Sequence, residues 1–214
     1  QVLGERCFPG SFTSYLFQNK QTQKYVAEYY NFPMPATHLL TSRQQARDLF
    51  DRTEYPVVVK DIWGYGGHGI SLLSNKEEAE EYLRKKRMPV NEGKVRREHY
   101  IYAQEYIPST HEYRVMTVGK EVIFAYKRTS QDFLKHVWRG AQVSTEVESE
   151  VVDLVKKWNN KLKLDWCGWD LVRTKKGELL FLELNPIFGT RVLEKEGMNL
   201  ADYLVKYLHR QIKK

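Results

Sequence analysis

The sequence predicts an α+β protein built on antiparallel strands, and three observations carry the prediction. The glycine-rich stretch "GYGGHG" runs from one β-forming segment into another, not into a helix. The second half of the chain reads as β-hairpins. Helices with legible caps flank these strand runs.

Asn19 caps a helix over about 20–30, which stops at the prolines of "NFPMP". Ser42 and Gln45 form a capping box for a helix over about 43–52. "YPVVVK" and "GISLL" are short strands on either side of the glycines, and Ser74 with Glu77 opens a third helix. "YIYAQEYI", "YRVMTVG" and "EVIFAYKR" are three further strands, the last two joined by a tight turn at Gly119 and Lys120. Thr145 and Glu148 box the helix in "TEVESEVVDLVKKWNNKL". A hairpin of "WCGWDLVR" and "ELLFLELN" follows, and a helix capped by Asn199 closes the chain. Trp158 and Trp169 are expected as core or interface anchors.

The 214 residues, 42% of them hydrophobic, suffice for one domain or two small lobes with a substantial core. Cys7 and Cys167 have neither metal-ligand spacing nor a disulfide framework, and no apolar run nears the roughly 20 residues needed to span a bilayer; a cytoplasmic protein is expected. A formal net charge of +7 favours an anionic partner. Nucleic acid ranks low, because the basic residues lack interleaved aromatics on one strand face.

The glycine stretch is not a dinucleotide fingerprint, because strand "ISLL" intervenes before any helix. Nor is it a Walker A loop, because no Lys with Ser or Thr follows its last glycine. What remains is a loop between antiparallel strands whose backbone N–H groups can approach phosphate oxygens, with Lys60 ending the preceding strand, or else an ordinary hairpin tip. His68 within it reads as a solvent-facing side chain.

In "FLELNP" the strand period of two puts Phe181, Glu183 and Asn185 on one face. With Lys176 and Gly177 central in the preceding turn, Asp170 falls opposite Glu183. Two carboxylates facing each other in apolar strands call for a cation, and an oxygen-rich set with few protein ligands suits Mg²⁺, or else one of the acids sits at the rim and pairs with a lysine.

With these motifs in order, the chain resembles ATP-grasp ligases over about residues 15–208, and most of all the ligases that add glutamate to a ribosomal protein together with related peptide-modifying carboxylate–amine ligases. "DFLKHVWRGA" and "LDWCGWDLVR" carry that closer resemblance, although Leu134, Lys135 and His136 stand where the family has Arg, Ser and Asn. The resemblance implies two α+β lobes with ATP between them: a lead-in at 1–14, a first lobe at 15–104 and a second at 105–214. It implies that Lys20, Lys60 and the lid residues Gly66, Gly67, His68 and Gly69 hold phosphates. Gln104, Glu105, Tyr106 and Ile107 meet adenine, Glu112 meets the ribose, and Asp170, Glu183 and Asn185 ligate Mg²⁺. Arg114, Arg128 and Arg139 are expected to clamp the carboxylate or acyl phosphate; His136 and Trp138 are expected either near the acceptor or as packing residues. The implied function is ATP-dependent joining of a carboxylate-bearing acceptor to an amine donor. Because the family's usual N-terminal substrate domain has only about 15 residues in its place, a partner or a removed segment is expected to supply that surface. The alternatives are an ATP-binding module without turnover and a kinase of the same fold.

Overall fold

A computed structural model describes residues 7–17, 19–62, 69–85, 100–109 and 111–213. Gly66, Gly67 and His68 therefore lie outside the described residues, while Gly69 lies within them.

The elements in chain order are α1 (Ser11–Leu16), α2 (Lys20–Tyr29), β1 (Thr37–Leu40), α3 (Arg43–Phe50), β2 (Val57–Lys60), β3 (Ile70–Leu73), α4 (Lys76–Lys85) and β4 (Ile101–Glu105). There follow β5 (His111–Val118), β6 (Glu121–Thr129), a single 3₁₀ turn (Val137–Arg139), β7 (Gln142–Ser144), α5 (Ser149–Leu162), β8 (Trp166–Arg173), β9 (Leu179–Asn185), α6 (Arg191–Lys195) and α7 (Leu200–Ile212). Two antiparallel sheets result, ordered β1-β4-β2-β3 and β7-β6-β5-β8-β9. Lys60 pairs with Ile70, so the glycine stretch does link neighbouring antiparallel strands.

Most caps fall where the sequence puts them. Asn19 accepts from Thr22 N–H, Ser42 from Gln45 N–H and Asn199 from Ala201 N–H. Two do not. In α4 the cap is Asn75, which accepts from Glu78 N–H while the Glu78 carboxylate takes Ser74 N–H, a box one residue later than expected. In α5 the cap position is Glu148, without a side-chain cap bond; its carboxylate accepts instead from the Tyr113 hydroxyl, so the helix begins after the expected Thr145 box.

The first sheet packs on α3 and α4 through Phe50, Val57, Val59, Leu83, Ile101 and Ala103. The second packs on α5 through Val151, Val155, Trp158, Trp169, Leu171 and Phe181, with the expected tryptophans in its centre. Leu16 of α1 and Ala27 of α2 are buried in that second core. Gln23 fastens α2 there, donating to Leu16 O and Leu184 O and accepting from Leu184 N–H. The second core thus draws on residues from both sides of the expected division between 104 and 105.

Both hairpins of the second sheet carry a bulge that decides its chemistry. In β8–β9, Thr174 N–H bonds to Glu178 O and Gly177 is left-handed, so the turn spans three residues and is not centred on Lys176 and Gly177. Continued straight, that register would set Asp170 against Leu182. Leu182 is instead an extra residue, and Asp170 pairs with Glu183. The expected facing pair is present, but the bulge breaks the alternation: Phe181 points into the core with Leu184, not to the side of Glu183 and Asn185. In β5–β6 the two-residue turn would oppose Glu112 to Lys127, and an extra Ile123 brings Arg128 opposite Glu112 instead.

Candidate active site

The cleft between the two sheets is lined from the first by Lys60, Gln104, Glu105, Tyr106 and Ile107, and from the second by Glu112, Arg128, Asp170, Leu182 and Glu183, with Lys135 and His136 at one side. Leu182 and Glu183 both face it although adjacent in sequence, a direct consequence of the bulge. Its enclosed space is about 100 Å³. Clefts that hold drug-sized ligands measure roughly 300–1,000 Å³, so this one is narrow by comparison.

Asp170 is the electrostatic centre. Across the ladder from it on β5, Arg114 makes a bidentate pair: Nε donates to Oδ1 at 2.6 Å and Nη2 to Oδ2 at 2.7 Å. Arg128 Nη2 donates to the same Oδ1 at 2.8 Å and to Glu112 Oε2 at 3.0 Å, and Asn185 Nδ2 donates to Asp170 Oδ2 at 3.0 Å. Although burial alone would raise the Asp170 carboxyl, the two guanidinium groups hold it below its ordinary value. Glu112 is raised by burial, partly offset by Arg128. Arg128 Nε is buried with no hydrogen-bond partner among the described residues.

Three buried lysines complete the set. Lys20, at the capped start of α2, pairs with Glu183 Oε1 at 3.1 Å. Lys60 donates to Gln104 Oε1 at 2.7 Å and lies over the Tyr102 ring; desolvation lowers it to about 8. Gln104 in turn donates to the Thr37 hydroxyl, so its side chain orients Lys60, while Glu105 O ε2 accepts from Ala36 N–H. Lys135, buried against Asp132 O and lowered by desolvation, is a further cleft cation. The sequence signals it as a lysine among Phe133, Leu134 and Val137, where the resembled family has serine.

The structure therefore brings together Lys20, Lys60, Gln104, Glu112, Arg114, Arg128, Asp170, Glu183 and Asn185. Arg139, exposed at the end of the 3₁₀ turn, does not line the cleft. Next to the cleft, a broad depression of about 1280 Å³ shares Arg128 and His136 with it and is edged by Arg191 and Lys195 of α6.

As to metal chemistry, two carboxylates and an amide oxygen are the hard ligands Mg²⁺ takes, and they do lie together here. All four Asp170 lone-pair sites accept N–H groups, so Asp170 ligates only if one of these donors gives way.

Known proteins place the fold. The RimK-like ATP-grasp domain model matches residues 16–208, and the chain belongs to that family. The family uses ATP with Mg²⁺. A ribosomal protein bS6–L-glutamate ligase of Escherichia coli O139:H28 is 28% identical over 184 residues, covering 83% of this chain and 58% of its own length. The chain thus spans less than two thirds of that relative. The RimK domain ATP-grasp protein of Sphaerobacter thermophilus superposes with a TM-score of 0.71 at 15% identity, over 92% of this chain and 68% of its own. The ATP-grasp ligase PsnB, solved with a phosphomimetic variant of a minimal precursor, Mg and ADP, gives 0.68 at 18% identity, over 96% of this chain and 63% of its own. No helix among the described residues is long and apolar enough to cross a membrane.

Proposed function

We propose that this protein is an ATP-dependent carboxylate–amine ligase that forms an amide through an acyl phosphate, on a peptide or protein acceptor. The observation that carries this is the charge set in and around the cleft: carboxylates Glu105, Glu112, Asp170 and Glu183 against cations Lys20, Lys60, Arg114, Arg128 and Lys135, a balance of minus four against plus five. Such a surplus, held by rigid strands, suits the negative charge that accumulates when a phosphoryl group moves.

In this reading Lys20 and Lys60 hold phosphate oxygens, Gln104 keeps Lys60 aimed into the cleft, and the segment from Glu105 to Ile107 borders adenine while Glu112 meets the ribose. Asp170, Glu183 and Asn185 would hold Mg²⁺, which supplies neutralisation of phosphate charge when bound. Arg114 and Arg128 fix Asp170, and the orphan Nε of Arg128, at the boundary between cleft and depression, is a donor for an acceptor oxygen. An acceptor carboxylate oxygen attacks the γ-phosphorus and ADP leaves. The amine then attacks the acyl carbon, loses a proton, and phosphate departs with one former carboxylate oxygen. This chemistry needs positioning more than a protein nucleophile.

The test follows that oxygen. With an ¹⁸O-labelled carboxylate acceptor and a screen of amino acids, turnover is expected to give ADP, an amide and phosphate carrying one ¹⁸O. A phosphorylated acceptor in place of the amide would show a kinase, and nucleotide binding without ADP release would show a module without turnover; either result overturns the ligase reading.

A further inference from the structure

At the opposite end of β5 from Glu112, six residues and about 20 Å along the strand, the β5–β6 turn, the C-terminal end of α5 and one side of α7 form an open groove of about 750 Å³. Its rim carries Lys120, Lys163, Lys206, Arg210 and Lys213 against a single acid, Glu121, which already pairs with Arg210 at 2.7 Å. All five cations are exposed. The groove is shaped by fixed parts. Tyr207 bonds Asp165 Oδ1 at 2.6 Å, and its ring lies so close to Gly119 that a Cβ there would come within 2.8 Å.

We propose that this groove binds an acidic peptide segment, independently of the nucleotide cleft and of the ligase reading. Five like charges around one concavity repel one another, and a polyanion relieves that repulsion along its length. A peptide fits better than single-stranded nucleic acid because the groove's two tyrosines among the described residues are already engaged. Lys206 lies over Tyr203, while Tyr207 is packed on Gly119 and meets the edge of Phe8. Recognition by exposed charges makes the complex salt-dependent.

The experiment uses a fluorescein-labelled peptide of ten glutamates and anisotropy at low ionic strength, without nucleotide. The parent protein is expected to bind, and Lys120→Glu/Lys206→Glu to bind at least about tenfold more weakly. Lys175→Glu/Lys176→Glu, on the exposed β8–β9 turn, makes the same change of net charge and is expected to bind as the parent does. Melting curves check that the variants are folded; should the first double variant unfold, Lys206→Ala alone must weaken binding measurably. Equal weakening by both double variants would reduce the effect to net charge, and no binding by the parent would remove the groove as a site. A ten-residue oligodeoxythymidine that binds more tightly than the peptide and displaces it would make the surface a nucleic-acid site and overturn the proposal.

Discussion

The cleft and the distal groove are both rich in cations, and they differ in everything that gives a charge its energetic weight. In the cleft Arg114 and Arg128 have side chains 12% and 6% exposed and share one carboxylate, whereas Arg210 at the groove is 64% exposed and pairs with an equally open Glu121. A buried ion in a satisfied network is costly to isolate, while an exposed pair contributes little because water and salt screen it. Cleft residues therefore couple stability to function. Groove residues can change with the fold intact.

The largest expected effect lies at the hub of the cleft. Asp170→Asn leaves the buried Arg114 guanidinium without its carboxylate and Arg128 with Glu112, and should destabilise by about 3–5 kcal/mol, read from a shift of the urea midpoint. A loss below about 1 kcal/mol would mean that the arginines find water and that the cleft resembles the groove. Glu183→Gln removes a proposed Mg²⁺ ligand and one carboxylate partner of Lys20 while leaving the arginine clasp intact. MgATP affinity by calorimetry should fall at least about tenfold, roughly 1.4 kcal/mol, and unchanged affinity would remove the metal assignment.

Gly69→Ala probes the end of the glycine stretch. Gly69 has φ +71°, and a Cβ would come within 2.3 Å of Asp61 Oδ2, so a cost of about 1–2 kcal/mol is expected. A melt identical to the parent would show that this turn relaxes freely.

Lys60 sharpens the contrast through pH. Burial lowers it to about 8 from 10.5, so between these values the unfolded chain holds a proton that the folded chain has released, and this lysine's contribution to stability rises with pH across that window. Nucleotide affinity runs the other way. It should decline as pH rises past about 8, because a neutral lysine no longer holds phosphate, and the decline should vanish in Lys60→Arg. A flat profile in the parent would remove Lys60 from the phosphate site. The smallest effect belongs to the groove: Arg210→Ala should change stability by less than about 0.5 kcal/mol, and a larger loss would show that the groove is part of the packed body.

By itself the sequence determined the local elements and the family. Caps at Asn19, Ser42 and Asn199 and the strand-to-strand course of the glycine stretch are short-range features, fixed by residues close in sequence to the backbone they shape. Tertiary structure decided what the acids of the last hairpin meet. Arg114 bonds Asp170 because β8 lies beside β5, a strand order with no local signature. Arg128 reaches Glu112 and Asp170, and Glu183 faces Asp170, because Ile123 and Leu182 each add one residue to their strand. One residue of slip exchanges the faces of a strand. Packing of Phe181 and Leu184 into the same core favours the slipped register on β9, and that preference exists only once α2 and α5 close the core against the sheet.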